Sequence, residues 1–268
     1  VEHSTALLRL QGVSKTFGPG TAGAVDALHG IDLDVGRHEF VSLVGRSGCG
    51  KSTLLRLIAG LIPPTAGTVS VADEVVTGPR EDVGLMFQRP ALFPWRTVLE
   101  NVLFPVEILG GTSDAHLDRA RALLDMVGLG GFEHRRPKAL SGGMQQRAAL
   151  CRALVHDPDI LLMDEPFAAL DALTREELSQ ELQRIWLETT KTIVLVTHSI
   201  TEAVTLSDRV VTLTPRPGRI GSVQPIDASR PRSENSPELA DHAERVRREL
   251  IGDPVPPDEQ STSRPDRE

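Results

Sequence analysis

Apolar positions in the first third of the chain fall into short blocks separated by turn-forming residues. Leu7-Leu8-Arg9-Leu10 predicts a short strand, followed by 12–18 and a Gly- and Pro-rich loop over 18–23. Ile31-Asp32-Leu33-Asp34-Val35 alternates apolar and acidic positions with period two, the pattern of a half-exposed strand in an antiparallel layer. Residues 39–44 form a nearly continuous apolar run and predict a buried strand, and 52–59 predict a helix closed by Gly60. Beyond a Pro-rich turn at 63–67, strands are expected at 68–71 and 83–87.

The period then lengthens to that of a helix. Residues 97–102 and 113–127 carry helical spacing, Gly128 to Gly131 closes the second helix, and a third runs through Leu154 to a stop at Asp157-Pro158. This block, about 90–157, reads as a helical subdomain. Ile160-Leu161-Leu162-Met163 and Ile193-Val194-Leu195-Val196 are short, wholly apolar runs, as strands covered on both faces require. A helix at 173–188 lies between them; a helix at 200–206, a strand at 209–213, a turn at 216–219 and a helix at 237–250 follow. Pro, Ser, Thr and charged residues dominate from Asp253 onward, so the expected division is one ordered domain over 1–250 and a disordered tail over 251–268.

One stretch carries the clearest chemistry. Gly45-Arg46-Ser47-Gly48-Cys49-Gly50-Lys51-Ser52 fits the phosphate-binding pattern of spaced glycines ending in Gly-Lys-Ser, with the required strand before it and helix after it. Such a loop curls its backbone N–H groups and the positive end of the helix around an anion. Lys51 is expected on the β- and γ-phosphates, Ser52 on Mg²⁺ and Thr53 nearer the α-phosphate. Asp164 and Glu165 arrive together at the end of a buried strand, an arrangement that suits a cation and an attacking water. Ser141 precedes Gly142 and Gly143 at a helix start and makes a second candidate anion site. His198, at the tip of the other buried strand, is either structural or a γ-phosphate sensor. Phe17 either stacks on adenine or belongs to the core. The loop 89–96, with Pro90, Phe93, Pro94 and Trp95, either grips a partner element or caps the core. Cys49 is either a thiol activated by the helix start or a small filler.

Composition narrows the setting. The formal charge of −8 over 268 residues argues against a nucleic-acid-binding surface, and two cysteines supply no disulfide framework, which suits a reducing compartment. No apolar run approaches the roughly 20 residues that span a bilayer, and no signal-peptide pattern opens the sequence, so a membrane role is expected to come through a partner.

Together these motifs resemble the ATP-binding subunits of ABC transporters, over about 7–250. Residues 45–53 look like the Walker A motif, Gln88 the Q-loop glutamine, 140–145 the family signature, 160–165 the Walker B strand and acid, 168–171 the D-loop and His198 the switch histidine. Phe17 falls at the adenine-stacking position. The resemblance implies an α/β P-loop NTPase with a RecA-like core, an N-terminal antiparallel β subdomain and an inserted α-helical signature subdomain. It further implies that two such chains pack head to tail. Each ATP then lies between the phosphate loop of one chain (Gly45, Arg46, Ser47, Gly48, Cys49, Gly50, Lys51, Ser52, Thr53) and Ser141, Gly142, Gly143 and Asp171 of the other. Glu165 and His198 would hold the attacking water, Lys51 and Gln88 complete the catalytic set, and Ser52, Gln88 and Asp164 serve Mg²⁺.

Arg46, 86–95, 165–175 and 216–220 look like the nitrate, aliphatic sulfonate and taurine import group. That implies a peripheral subunit on the cytoplasmic face of the membrane, bound to permease subunits and served indirectly by an extracytoplasmic solute-binding protein. Exporter or lipid-handling complexes are the alternative within transport. A soluble ABC ATPase without a transport role is the alternative outside it.

Overall fold

The computed structural model describes residues 6–251 apart from 22, 169, 190 and 235. In chain order the elements are β1 (Ala6–Phe17), β2 (Val25–Gly36), β3 (Phe40–Gly45), α1 (Lys51–Ile58), β4 (Ala66–Val71), β5 (Glu74–Val75), β6 (Val83–Met86), α2 (Val98–Leu109), α3 (Asp114–Met126), α4 (Gly142–Leu154), β7 (Ile160–Asp164), α5 (Ala172–Thr189), β8 (Thr192–Thr197), α6 (Ile200–Leu206), β9 (Arg209–Leu213), β10 (Ile220–Pro225) and α7 (Ala240–Ile251). The expected tail falls, from residue 252, outside the described residues.

Two sheets result. One is antiparallel with order β2-β1-β4-β5; the other has order β10-β9-β3-β8-β7-β6. In the second, β9, β3, β8, β7 and β6 run parallel and β10 closes one edge antiparallel to β9. β3 and β8 are buried at every position and β7 at all but Asp164, as their largely apolar runs require. Helix α1 fills the space between the sheets: Leu54, Leu55, Leu57 and Ile58 pack in one core with Leu8, Leu10, Ile31 and Val35 of the antiparallel layer. Helices α2, α3 and α4, inserted between β6 and β7, share a second core with Phe40, Met86 and Met163 of the parallel sheet. Helices α6 and α7 cover a smaller third one around Val44 and Val210.

Parallel strands all present their C-terminal ends at one edge, and that edge is where ligands of open α/β sheets bind. The register makes this concrete: Gly45 lies opposite Leu213, Val44 opposite Thr197, Asp164 opposite Val196 and Met86 opposite Met163. The phosphate loop, Gln88, the two acids, His198 and the turn after β9 therefore leave the sheet side by side.

Several elements differ from the sequence-based expectation. The strand expected at 7–10 continues to Phe17 and the one at 31–35 begins at Val25, because the two pair along their whole length. The register of that pair shifts between Leu10 and Val13, so Gly12 takes up a bulge and does not end the strand. The helix expected at 97–102 runs on to Leu109 through Pro105, and β5 and β10 are additional strands.

Candidate active site

The phosphate loop leaves β3 at Gly45, and α1 begins after Gly50, whose φ of 106° lies in the region that favours glycine. A Cβ at Gly50 would stand 2.6 Å from Leu28 Cδ2 and 2.9 Å from Ala27 O, so β2 leaves room only for glycine. Among the described residues no side chain caps the start of α1, which leaves its first N–H groups for an anion. Lys51 is only 5% exposed, and its ammonium donates to Gly45 O at 2.7 Å and Arg46 O at 3.3 Å. The loop's own carbonyls thus aim this charge. Cys49 is buried, with Sγ 4.0 Å from Lys51 Nζ, and occupies a filler position under the loop.

The acids meet the loop from β7. Asp164 Oδ1 accepts a 2.8 Å hydrogen bond from Ser52 Oγ, and burial pushes its carboxyl above the usual aspartate range. Glu165 has φ 47°, a left-handed conformation uncommon outside glycine and found preferentially where function demands it. Its N–H donates to Val196 O at 2.8 Å, which fixes it against β8. Its Oε2 receives Gln88 Nε2 at 3.3 Å and lies 3.3 Å from His198 Nδ1. Three strand tips, those of β6, β7 and β8, therefore converge on one carboxylate oxygen.

A cleft of about 340 Å³ runs from Phe17 and Val25 past Lys51, Ser52 and Thr53 to Gln88 and Glu165, with Asp164 and His198 behind its lining, in contact with Ser52 and Glu165. Phe17 is 42% exposed, with Lys15 Nζ 5.4 Å from its ring centroid, so it belongs to the cleft wall and not to the core. Ser141, Gly142, Gly143 and Asp171 do not line this cleft. Ser141 caps α4 by accepting Met144 N–H at 3.2 Å. Asp171 accepts Thr174 N–H at 3.1 Å and Thr174 Oγ1–H at 2.8 Å, bonds that hold its carboxyl below the usual range.

The profile of the ABC transporter family matches residues 28–168, over half of the chain. The chain belongs to the ABC transporter family. Relatives of this ABC ATPase extend the match along the chain. The ABC transporter ATP-binding protein MJ0412 of Methanocaldococcus jannaschii is 49% identical over 239 residues, covering 89% of each chain. The taurine import ATP-binding protein TauB of Burkholderia thailandensis is 50% identical over 208 residues, 78% of this chain and 80% of its own, and that of a Jannaschia species is 41% identical over 252 residues, 91% and 92%. Among solved structures, the dimeric ATP-binding cassette MJ0796 bound to ADP and Pi superposes with a TM-score of 0.72 at 34% identity, covering 83% of this chain and 100% of its own.

Two features of the ABC ATPase lay beyond the sequence reading. Arg216 lines the cleft and donates through Nε to Gly48 O at 3.3 Å, although its turn carries no phosphate-loop signal. The loop after Gln88 is anchored from two helices. Arg152 of α4 donates to Pro90 O at 2.6 Å and Ala91 O at 2.8 Å. Asn101 of α2, 0% exposed, accepts Phe93 N–H at 2.6 Å and donates to Phe93 O at 3.1 Å and Thr97 O at 2.8 Å. Phe93 then meets Phe104 edge to face at 4.6 Å and Trp95 in a tilted contact at 5.3 Å, and Trp95 is 67% exposed. The only sequence signal for the anchor was an Asn among the apolar positions of a helix.

Proposed function

We propose that this ABC ATPase powers an importer for a small anionic solute of the taurine, sulfonate or nitrate kind, working as a dimer on the cytoplasmic face of the membrane. The observation that carries the catalytic part is the meeting of Gln88 and His198 on Glu165 Oε2, beside the Ser52–Asp164 pair. In that arrangement Lys51 and the N–H groups of the phosphate loop bind the β- and γ-phosphates of ATP. Glu165 orients the attacking water and takes its proton, and His198 holds the same carboxylate and the γ-phosphate in place. Phe17 stacks on the adenine.

The donors beside the loop suit Mg²⁺. Ser52 Oγ and Asp164 Oδ1 are hard oxygens 2.8 Å apart, and Gln88 follows on the neighbouring strand tip. Among the described residues no cluster of three or more His, Cys, Asp or Glu forms a cage, which agrees with an ion that keeps water and substrate phosphates in its shell. When bound, Mg²⁺ supplies charge stabilisation to the phosphate oxygens. Burial raises the Asp164 carboxyl above the usual aspartate range, and a cation held at Ser52 would oppose that shift.

Ser141, Gly142, Gly143 and Asp171 lie away from the cleft of their own chain, and in the head-to-tail dimer they complete the ATP site of the partner. Hydrolysis then removes what joins the two chains. The anchored loop after Gln88, with Trp95 exposed, is the surface offered to a permease, so Gln88 links phosphate status to that surface. The taurine import relatives support the choice of cargo class, and an extracytoplasmic binding protein would deliver the solute. The test is to purify the complex from detergent-solubilised membranes, reconstitute it in vesicles and measure ATP-dependent uptake of taurine, alkanesulfonates and nitrate. Uptake that disappears with K51A is expected. ATP hydrolysis without uptake of any of the three would refute the cargo assignment.

A further inference from the structure

The turn joining β9 to β10 brings a cation to the mouth of the nucleotide cleft. Thr214 N–H donates to Arg219 O at 2.9 Å and Arg219 N–H to Thr214 Oγ1 at 3.0 Å, closing the turn on itself. It is also joined to β2: Gly218 N–H donates to Ala27 O and His29 N–H to Gly218 O, each at 2.9 Å. The turn rests directly on the phosphate loop. A Cβ at residue 218 would stand 2.1 Å from Cys49 O, an approach that only glycine permits. Arg216 is therefore presented from a backbone whose position is set by both the sheet and the phosphate loop.

Its side chain reaches back over that loop. Arg216 Nε donates to Gly48 O at 3.3 Å, and the side chain lines the same cleft as Phe17, Ser47, Lys51 and Glu165. Among the described residues the Arg216 side chain makes one hydrogen bond, from Nε, which leaves the two terminal nitrogens of the guanidinium for a ligand. A planar, permanently charged fork beside a ring of backbone N–H groups matches phosphate oxygens in both charge and geometry.

We propose that Arg216 is a phosphate-binding residue of this ATPase, adding a cation to the cleft that Lys51 also lines. The proposal rests on the reading of the cleft as the ATP site. Titration calorimetry of the full chain with ADP, comparing wild type, R216Q, R216K and K51A, tests it. R216Q is expected to weaken ADP binding about tenfold, with partial recovery in R216K, as loss of one charge-assisted contact requires. The melting temperature of the nucleotide-free protein should not change. If R216Q binds ADP as wild type does while K51A loses it, Arg216 has no such role and the ATP site stands. If K51A also binds ADP as wild type does, the reading of the cleft itself fails. Equal losses in R216Q and R216K with a lowered nucleotide-free melting temperature would make Arg216 a structural prop and overturn the proposal.

Discussion

Asn101→Ala isolates the link between the nucleotide site and the exposed aromatic loop. The amide of Asn101 holds that loop through three good hydrogen bonds, one accepted from Phe93 N–H and two donated to Phe93 O and Thr97 O. Both carbonyls keep a second donor, since Arg96 N–H reaches Phe93 O at 3.1 Å and Asn101 N–H reaches Thr97 O at 3.0 Å. Phe93 N–H is left with none. At about 1 kcal/mol per lost bond, with the stranded donor partly solvated as the loop loosens, the substitution should cost about 3 kcal/mol. Urea unfolding followed by circular dichroism reads that loss as a lower midpoint. Acrylamide quenching of Trp95 should rise as its contact with Phe93 is lost. Asn101 touches neither Glu165 nor the phosphate loop, so ATP hydrolysis by the isolated chain should stay within about twofold of wild type, a barrier change below about 0.5 kcal/mol. Solute uptake by the reconstituted complex should fall much further. A stability change below about 0.5 kcal/mol, or unaltered Trp95 quenching, would show that Asn101 does not hold the loop.

Three further outcomes follow from the same structure. Glu165→Gln keeps the shape of the site but removes the proposed base, so ATP binding should survive, hydrolysis should fall at least about a hundredfold, and the variant should elute as an ATP-bound dimer on gel filtration. Only monomer in the presence of ATP and Mg²⁺ would count against the assignment. Gly50→Ala forces a Cβ to within 2.6 Å of Leu28 and strains a φ of 106°, so nucleotide binding should be lost, and calorimetry showing wild-type affinity would contradict the tight fit against β2. Glu202 is buried, and burial raises its pKa above the ordinary 4.5, against the opposing hydrogen bond from Thr197. The folded state therefore holds this proton more tightly than the unfolded chain. The resulting contribution to stability is present below pH 4.5 and is lost as pH rises through the folded-state value. Melting temperatures of Glu202→Gln should decline less than those of wild type across that window, and parallel curves would remove Glu202 as the source.

The sequence by itself determined the local chemistry. Spaced glycines before Lys51-Ser52, an apolar run ending in Asp164-Glu165 and another ending in Thr197-His198 are short-range patterns, and each needs only its own strand or helix to be legible. The same holds for α4, whose start is marked by the capping Ser141. Only the tertiary structure decided which tips stand together. The order β9-β3-β8-β7-β6 comes from hydrogen bonds between strands distant in sequence, and it places Glu165 between Gln88 and His198. Pairing also extended β1 and β2 beyond their hydrophobic signals and made a strand of 220–225, whose positions alternate between half-buried and exposed without a single fully buried one. Arg216 and Asn101 were illegible for the same reason. Their partners, Gly48 in one case and the loop after Gln88 in the other, are chosen by where the backbone passes, and neither residue type announces that in one dimension.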